Sequence, residues 1–273
     1  EGKHYVTLTH TVTGSSGSLA GISAPADINV DIEDNDKGGL VFTAASTAVN
    51  EGGSLALQLR LTDKPPGTSD VIVTLNSSLA SGAVTFTPER VQFEGTGGGA
   101  WNVDQTVTMT VASDGGYAYG DRDVVLTASA SSTSSVYEGV VATVPRVTVS
   151  DVDSVGVTIL PTILQLTEAG AEAQFTVKLD SRPTSPVTVT VAKDVPATGL
   201  SEALTVTNNK LNVDASENGW RTSRVVKVAY GSDGHVTGEV IRRLTFTVAG
   251  ADTTGYNALS LTNAVTLRIA DVD

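Results

Sequence analysis

An Asp-x-Asp motif occurs three times in this chain, at residues 34–36, 151–153 and 271–273. Each copy follows a stretch in which apolar and polar residues alternate. The first and second copies are 117 residues apart (34 to 151), and the second and third are 120 residues apart (151 to 271). Because a period of this length is the size of a whole domain, the spacing predicts tandem domains of similar structure.

Other short motifs keep the same spacing. They pair Asn50-Glu51-Gly52-Gly53 with Thr167-Glu168-Ala169-Gly170, Trp101 with Trp220, and Ser113-Asp114-Gly115 with Ser232-Asp233-Gly234. Residues 1–36 match only the last part of each repeat, since a Leu-Thr pair follows six residues after Gly2, Gly120 and Gly238. We therefore predict complete domains at 37–153 and 154–273, preceded by a partial repeat at 1–36, so that the chain begins inside a domain.

The pattern within each repeat is typical of β-strands. Segments such as Val71–Leu75, Val107–Val111, Val187–Val191 and Leu244–Val248 mostly alternate with a period of two, and no window has sustained helical spacing. Clusters rich in Gly, Pro, Asn and Asp separate these segments and predict turns. Many short strands without helices indicate an all-β fold of antiparallel β-sandwiches, with Trp101 and Trp220 in equivalent core positions.

Composition limits the partners of the protein. The chain has 30 acidic and 17 basic residues and a formal net charge of −13, which disfavours nucleic acid and favours divalent cations. It has no apolar run of 18 residues, so we predict no membrane span. The absence of cysteine leaves the redox compartment open. The acidic, Lys-poor and Thr-rich composition favours an extracellular or cell-surface location.

Motifs for catalysis are absent from the sequence. It has no nucleophile elbow, zinc-protease helix, Walker lysine or dinucleotide-binding fingerprint. We therefore predict that the protein is not an enzyme. One glycosylation sequon, Asn76-Ser77-Ser78, marks Asn76 as a possible glycan acceptor.

The order of motifs in residues 37–153 resembles the Calx-β repeat. That order is Glu51 after a first strand, Phe86-Thr87-Pro88, Trp101-Asn102, Ser113-Asp114 and the final Asp151-Val152-Asp153, and residues 154–273 repeat most of it. The resemblance implies a seven-stranded immunoglobulin-like sandwich, as found in sodium–calcium exchangers, an integrin subunit and large surface proteins of bacteria and algae. It implies a fold more strongly than a function.

The resemblance also implies calcium sites at one end of each sandwich. One set of ligands would be Glu51, Asp114, Asp151 and Asp153, and the other Glu168, Asp233, Asp271 and Asp273. Carboxylate oxygens are the ligands that calcium prefers. The loop at Asp114 has a single acid, however, and Ala80-Ser81-Gly82 replaces an expected Asp-Tyr pair. The alternative is that Asp-x-Asp only ends a strand and caps a turn between domains.

The apolar pattern of residues 1–36 predicts that this segment assembles with strands that lie outside the two complete repeats. Two strands, near Tyr5–Val12 and Ile28–Ile32, carry apolar residues that an isolated hairpin cannot bury. Their partner would be an upstream segment or another copy of the molecule, and either gives a head-to-tail array. Two functions therefore remain open: a structural subunit of an extracellular fibre, filament or adhesin stalk, or a calcium-responsive adhesion module on a cell surface within a longer tandem array.

Overall fold

The computed structural model describes residues 3–13, 23–33, 38–96, 100–195, 203–232, 236 and 238–272. The predicted all-β fold is confirmed: the described residues form twenty strands and one short 3-10 turn at Tyr256–Ala258. The strands fall into one two-stranded ribbon and two pairs of larger sheets. The domain boundaries at 36/37 and 153/154 stay a prediction.

The ribbon comprises β1 (Lys3–Leu8) and β2 (Ile28–Glu33), which pair antiparallel with Val6 opposite Val30. These strands are the ones predicted for the partial repeat, although the first ends before Val12. The ribbon pairs with no other strand among the described residues.

The first complete repeat forms two sheets. Its strands are β3 (Leu40–Ala44), β4 (Ala48–Asn50), β5 (Ser54–Leu61), β6 (Val71–Ser77), β7 (Val84–Thr87), β8 (Arg90–Phe93), β9 (Gln105–Val111), β10 (Arg122–Ser132) and β11 (Val141–Ser150). One sheet has the order β3-β5-β9-β7 and the other β4-β11-β10-β6-β8. From β3 to β10 successive strands alternate between the sheets, and β10 and β11 then pair within one sheet, as in a Greek-key sandwich.

The second repeat has the same plan, strand for strand. Its strands are β12 (Val157–Leu160), β13 (Ile163–Thr167), β14 (Ala173–Leu179), β15 (Val187–Lys193), β16 (Leu204–Thr207), β17 (Lys210–Val213), β18 (Arg224–Tyr230), β19 (Val240–Gly250) and β20 (Ser260–Ala270). The sheets have the orders β12-β14-β18-β16 and β13-β20-β19-β15-β17. The edge strand β13 pairs parallel with β20, a departure from the predicted antiparallel pattern, because the first strand of the repeat changes sheets between β12 and β13.

A hydrophobic core lies between the two sheets of the second repeat. It is built by inward residues of alternating strands, and Phe175 of one sheet meets Phe246 of the other edge to face, with ring centroids 5.8 Å apart. The two tryptophans precede β9 and β18 at equivalent positions, but they differ in burial. Trp220 is buried in the core, whereas Trp101 is only half-buried, so the predicted anchoring role fits Trp220 better.

The chain divides into two compact units, and their boundary differs from the predicted boundary between the repeats. The first unit is Glu1–Val49, Ser54–Thr110 and Asp123–Val147, and the second is Asn50–Gly53, Val111–Arg122 and Thr148–Asp273. The turns that carry Glu51, Asp114, Asp151 and Asp153 thus all belong to the second unit. The acidic end of the first repeat therefore lies within the second unit.

Candidate metal centre

Three segments of the first repeat bring its acidic side chains together. Glu51 lies in the turn after β4, Asp114 in the loop after β9, and Asp151 and Asp153 directly after β11. Because β4 lies beside β11 in one sheet, the ends of these strands meet, and the Glu51 N–H donates to the Ser150 carbonyl at 3.0 Å. The positive φ of Gly52, 69°, allows the tight turn that holds Glu51 in place.

The carboxylates of Glu51, Asp151 and Asp153 form an acidic cluster. Each offers one oxygen, and these oxygens lie within 4.8 Å of one another. Glu51 is only 5% exposed, which is unusual for a carboxylate. Its Oε1 is buried and has no hydrogen-bond partner among the described residues. A buried acceptor without a partner is costly, so this oxygen is available to a ligand.

Asp114 lies next to the cluster and is tied to it through its backbone. Its N–H donates to Glu51 Oε2 at 3.1 Å, while its Oδ1 accepts from the N–H groups of Gly116 and Tyr117 at 3.2 and 3.0 Å. The other oxygen, Asp114 Oδ2, is buried and has no hydrogen-bond partner among the described residues. The Asp114 carboxylate is thus fixed on one side and unsatisfied on the other.

Asp151 organises the remaining chain around the cluster. Its Oδ2 accepts from the Gly120 N–H at 2.6 Å and its Oδ1 from the Asp153 N–H at 2.8 Å. The Asp151 N–H donates to Asp121 Oδ1 at 3.0 Å. These bonds are what Asp-x-Asp would make if it only shaped a turn, so they explain Asp151 without an ion. They do not explain the unsatisfied oxygens of Glu51 and Asp114.

Burial, with a smaller contribution from neighbouring negative charges, raises the pKa of two acids and shifts them toward the neutral form. Burial raises the pKa of Glu51 above its ordinary value of 4.5; the N–H of Asp114 opposes this, and the charges of Asp114 and Asp151 add to it. Burial likewise raises the pKa of Asp153 above 3.8, and a hydrogen bond with Glu51 opposes it. Because neighbouring carboxylates contribute to both shifts, a partner that supplies positive charge would favour the ionised forms.

The structure places Arg122 beside the cluster, a cation that the sequence analysis did not name. Arg122 Nη2 lies 3.9 Å from Glu51 Oε2 and 3.9 Å from Asp114 Oδ2. These distances allow electrostatic attraction but are too long for hydrogen bonds. The signal in the sequence was the Asp121-Arg122-Asp123 triplet at the start of β10, since a strand beginning there points Arg122 toward the same end as Asp151.

The corresponding end of the second repeat is described only in part. Glu168 is 4% exposed, and its N–H donates to the Ala270 carbonyl at 2.9 Å, as that of Glu51 does to Ser150. Asp271 Oδ2 accepts from the Gly238 N–H at 2.7 Å, as Asp151 does from Gly120. Asp233 and Asp273 lie outside the described residues. The second ligand set therefore stays a prediction.

Two further sequence predictions concern the surface. Asn76 is exposed on β6, where it lies opposite Thr127, and its glycosylation stays a prediction. The described residues contain no helical segment with the length and apolar character needed to span a membrane.

Comparisons with known proteins identify no family. No family model and no curated protein matches the chain. Among solved structures, the calcium binding domain CBD12 of CALX1.1 shares 12% identity, with 83% of this chain and 93% of that chain covered and a TM-score of 0.36. CBD12 of CALX1.2 shares 14% identity, with 80% and 84% covered and a TM-score of 0.36.

The Escherichia coli chaperone DraB is also similar, at 12% identity and a TM-score of 0.32. The match covers 43% of this chain and spans only 55% of DraB. At these TM-scores the likenesses add nothing to the fold assignment, which follows from the strand order of the chain itself.

Proposed function

We propose that the protein is a non-enzymatic structural module of an extracellular fibre, filament or adhesin stalk, in which the β1/β2 ribbon completes a further β-sandwich. One observation carries the proposal: the ribbon has an apolar face that is exposed. Cross-strand pairing puts on that face His4, Val6, Leu8, Ile28, Val30 and Ile32. Its five aliphatic side chains are 37–52% exposed.

The opposite face of the ribbon is polar. It carries Tyr5, Thr7, Asn29, Asp31 and Glu33, and Thr7 Oγ1 donates to Asn29 Oδ1 at 2.8 Å. A ribbon with one apolar and one polar face has the pattern of a sheet that covers a core on one side and meets water on the other. The sequence of β1 and β2 is therefore suited to a sandwich.

The complete repeats indicate what the ribbon would bury. Leu8 corresponds to Leu126 of β10 and Leu244 of β19, and both of these are fully buried. Counted back from each Asp-x-Asp motif, Val30 corresponds to Val147 and Leu267, which are also fully buried. The same face that is exposed in the ribbon thus covers the core in both repeats. Each large side chain that became fully buried would contribute roughly 1.5–3 kcal/mol.

The partner must supply the strands that correspond to β3–β9. The two complete repeats fill these positions with their own strands, so the partner must be an incomplete repeat, either on another copy of the molecule or adjacent in the same polypeptide. Either arrangement places sandwiches end to end and gives a longitudinal array. The acidic, Lys-poor and Thr-rich composition supports an extracellular setting for it.

Charge substitutions on the two faces of the ribbon test the proposal. Val6→Asp puts a charge on the apolar face, and Thr7→Asp puts the same charge on the polar face one residue away. We expect the wild-type protein and Thr7→Asp to form longitudinal assemblies in sedimentation velocity and electron microscopy, and Val6→Asp to remain smaller. Equal assembly by both variants would show that the apolar face has no role.

The acidic cluster favours a second candidate function, a calcium-responsive adhesion module. Calcium takes six to eight oxygen ligands at about 2.3–2.6 Å. Glu51, Asp151 and Asp153 offer three such oxygens close together, and Glu51 Oε1 and Asp114 Oδ2 are buried acceptors still in need of a partner. The residues therefore fit a hard divalent cation, which would be held by these four carboxylates and would offset their repulsion.

Thermal unfolding with and without calcium tests this candidate. Calcium should raise the melting temperature of the wild-type protein relative to chelator, because a ligand that binds only the folded state stabilises it. Glu51→Gln should reduce that rise, whereas Glu172→Gln, which changes an exposed acid paired with Lys227 at 3.0 Å, should not. Identical melting in calcium and chelator would exclude the candidate.

A further inference from the structure

We propose that Arg122 is a built-in counter-cation of the acidic cluster, which stabilises the cluster when no metal is bound and competes with a divalent cation for Glu51 and Asp114. The inference rests on the calcium candidate above and names how that site is regulated. Arg122 is the first residue of β10, and its Nη2 lies 3.9 Å from both Glu51 Oε2 and Asp114 Oδ2.

The contact of Arg122 with the cluster is electrostatic rather than bonded. A well-paired arginine forms short, charge-assisted hydrogen bonds, as Arg242 Nε donates to Asp194 Oδ1 at 2.6 Å elsewhere in the chain. At the cluster, Glu51 Oε1, Asp114 Oδ2 and Arg122 Nε are all buried without a hydrogen-bond partner among the described residues. Arg122 therefore supplies charge to the cluster but leaves its acceptors available for another ligand.

The position of Arg122 lets it withdraw. Its side chain is 33% exposed, whereas the carboxylate of Glu51 is 1% exposed, so the guanidinium can turn toward water while Glu51 stays in place. A cation that entered between Glu51 and Asp114 would repel the guanidinium at this distance. A metal ion bound between Glu51 and Asp114 and the 3.9 Å contacts of Arg122 with these residues therefore exclude each other.

The second repeat shows that the fold does not require this arginine. Arg122 begins β10 two residues after Gly120, and Val240 begins β19 two residues after Gly238. Val240 is buried and joins the hydrophobic core. A valine at this position satisfies the packing of the strand, so packing alone does not explain the arginine of the first repeat.

Site-resolved calcium titration of the whole chain tests the inference. The Gly120 amide donates to Asp151 Oδ2, so its nuclear magnetic resonance signal reports on the cluster. The Gly238 amide donates to Asp271 Oδ2 and reports separately on the second repeat, whose response Arg122→Gln should leave unchanged. Arg122→Gln should lower the calcium concentration at the midpoint of the Gly120 shift, on the order of tenfold, because a positive charge near the metal is removed. It should also lower the melting temperature in chelator.

Two further variants control for charge and fold. Arg122→Lys keeps the charge and should titrate like the wild-type protein. Arg146→Gln removes the same charge from an exposed ion pair, 2.9 Å from Asp123, and should change the midpoint by less than about twofold. If calcium shifts the Gly120 signal but Arg122→Gln binds calcium no more tightly than the wild-type protein, the inference is wrong and the calcium site stands. If calcium shifts the Gly120 signal in none of these proteins, including the wild type, the calcium site itself is wrong, and the inference with it.

Discussion

The two complete repeats solve the same packing problem in different ways at the junction of β6 with β10 and of β15 with β19. In the first repeat, Ser78 and Val125 exchange hydrogen bonds, with the Val125 N–H donating to Ser78 Oγ at 3.0 Å. In the second, Asp194 and Arg243 exchange the same bonds, with the Arg243 N–H donating to Asp194 Oδ2 at 2.9 Å. The backbone geometry is conserved between repeats although the side chains are not.

The inward neighbours of these residues differ in a matched way. Val124 is fully buried in the first repeat, and Arg242, at the same position of the second, is 1% exposed. Arg242 Nε lies 2.6 Å from Asp194 Oδ1, and its Nη2 donates to the Asp194 carbonyl at 2.7 Å. The first repeat therefore combines Val124 with Ser78, and the second combines Arg242 with Asp194. The difference teaches that this site accepts an apolar side chain or an ion pair, provided that both members change together.

The largest expected effect comes from separating that pair. Asp194→Ser leaves Arg242 buried without its partner and should lower the free energy of unfolding by about 3–5 kcal/mol. Arg242→Val should cost less, because Asp194 is 29% exposed and keeps its bond from Arg243. The double variant copies the first repeat and should recover most of the loss. Urea unfolding of all four proteins gives the coupling energy, and additive losses would contradict the matched exchange.

A second difference lies in the turn between the last two strands. In each repeat a buried tyrosine hydroxyl anchors this turn, Tyr137 to the backbone of Asp63 and Tyr256 to that of Ser181. Four residues before the tyrosine, the first repeat has Thr133 and the second has Asp252. Asp252 is 2% exposed and accepts from the N–H groups of Thr184, Thr254, Gly255 and Tyr256.

Acid should therefore weaken the second repeat through Asp252. Burial would raise the pKa of Asp252, but the hydrogen bonds from Thr184, Tyr256 and Thr254 together lower it below 3.8. A lowered pKa in the folded state contributes stability that is present above the unfolded value and is lost as pH falls through the folded value. The second repeat should thus lose this contribution progressively below about pH 4.

The Asp252→Asn variant isolates this contribution. It should cost about 1.5–3 kcal/mol near pH 7, since hydrogen bonds to a charged group are lost. The difference from the wild-type protein should shrink as the pH is lowered from 5 to 2.5 in urea titrations. Thr133→Val in the first repeat should show no such pH dependence. A constant difference across the range would mean that Asp252 stays ionised or contributes nothing.

Much of the fold was predictable because strand alternation and the spacing of turn motifs are local signals. The period of the Asp-x-Asp motifs predicted two equivalent sandwiches, and their strand orders agree one for one. The resemblance to the Calx-β repeat, and not the period itself, implied that Glu51, Asp151 and Asp153 meet at the end of one sandwich, where the structure brings their oxygens within 4.8 Å. Their role as metal ligands stays a prediction, as does the role of Asp114.

The residues that sequence reasoning missed act through partners that are distant along the chain. Alternation with Val240 and Leu244 points Arg242 inward, yet nothing local indicates that Asp194, 48 residues earlier, receives it. Arg122 meets Glu51, 71 residues earlier (51 to 122), only because β4 and β10 flank the same strand. The burial difference between Trp101 and Trp220 was equally hidden, because their local sequences give both the same position before a strand.

The smallest expected effect concerns the turn at Glu51 in the first repeat and the turn at Glu168 in the second. Gly52 follows Glu51 with φ 69°, and Ala169 follows Glu168 with φ 48°. A Cβ added at Gly52 would meet no atom within 4 Å, so the two turns differ in backbone conformational energy and not in packing. Alanine in the left-handed region is strained, whereas glycine adopts it freely but loses more entropy on folding.

Exchanging these two residues should therefore move stability in opposite directions. Ala169→Gly should raise the free energy of unfolding by about 0.5–1 kcal/mol, since relief of strain exceeds the added entropy of the unfolded chain. Gly52→Ala should lower it by about 1 kcal/mol for the converse reason. Urea unfolding in chelator measures both without a contribution from a metal. If both substitutions destabilise the protein, Ala169 makes contacts through its methyl group that glycine cannot replace, and the two turns are not equivalent.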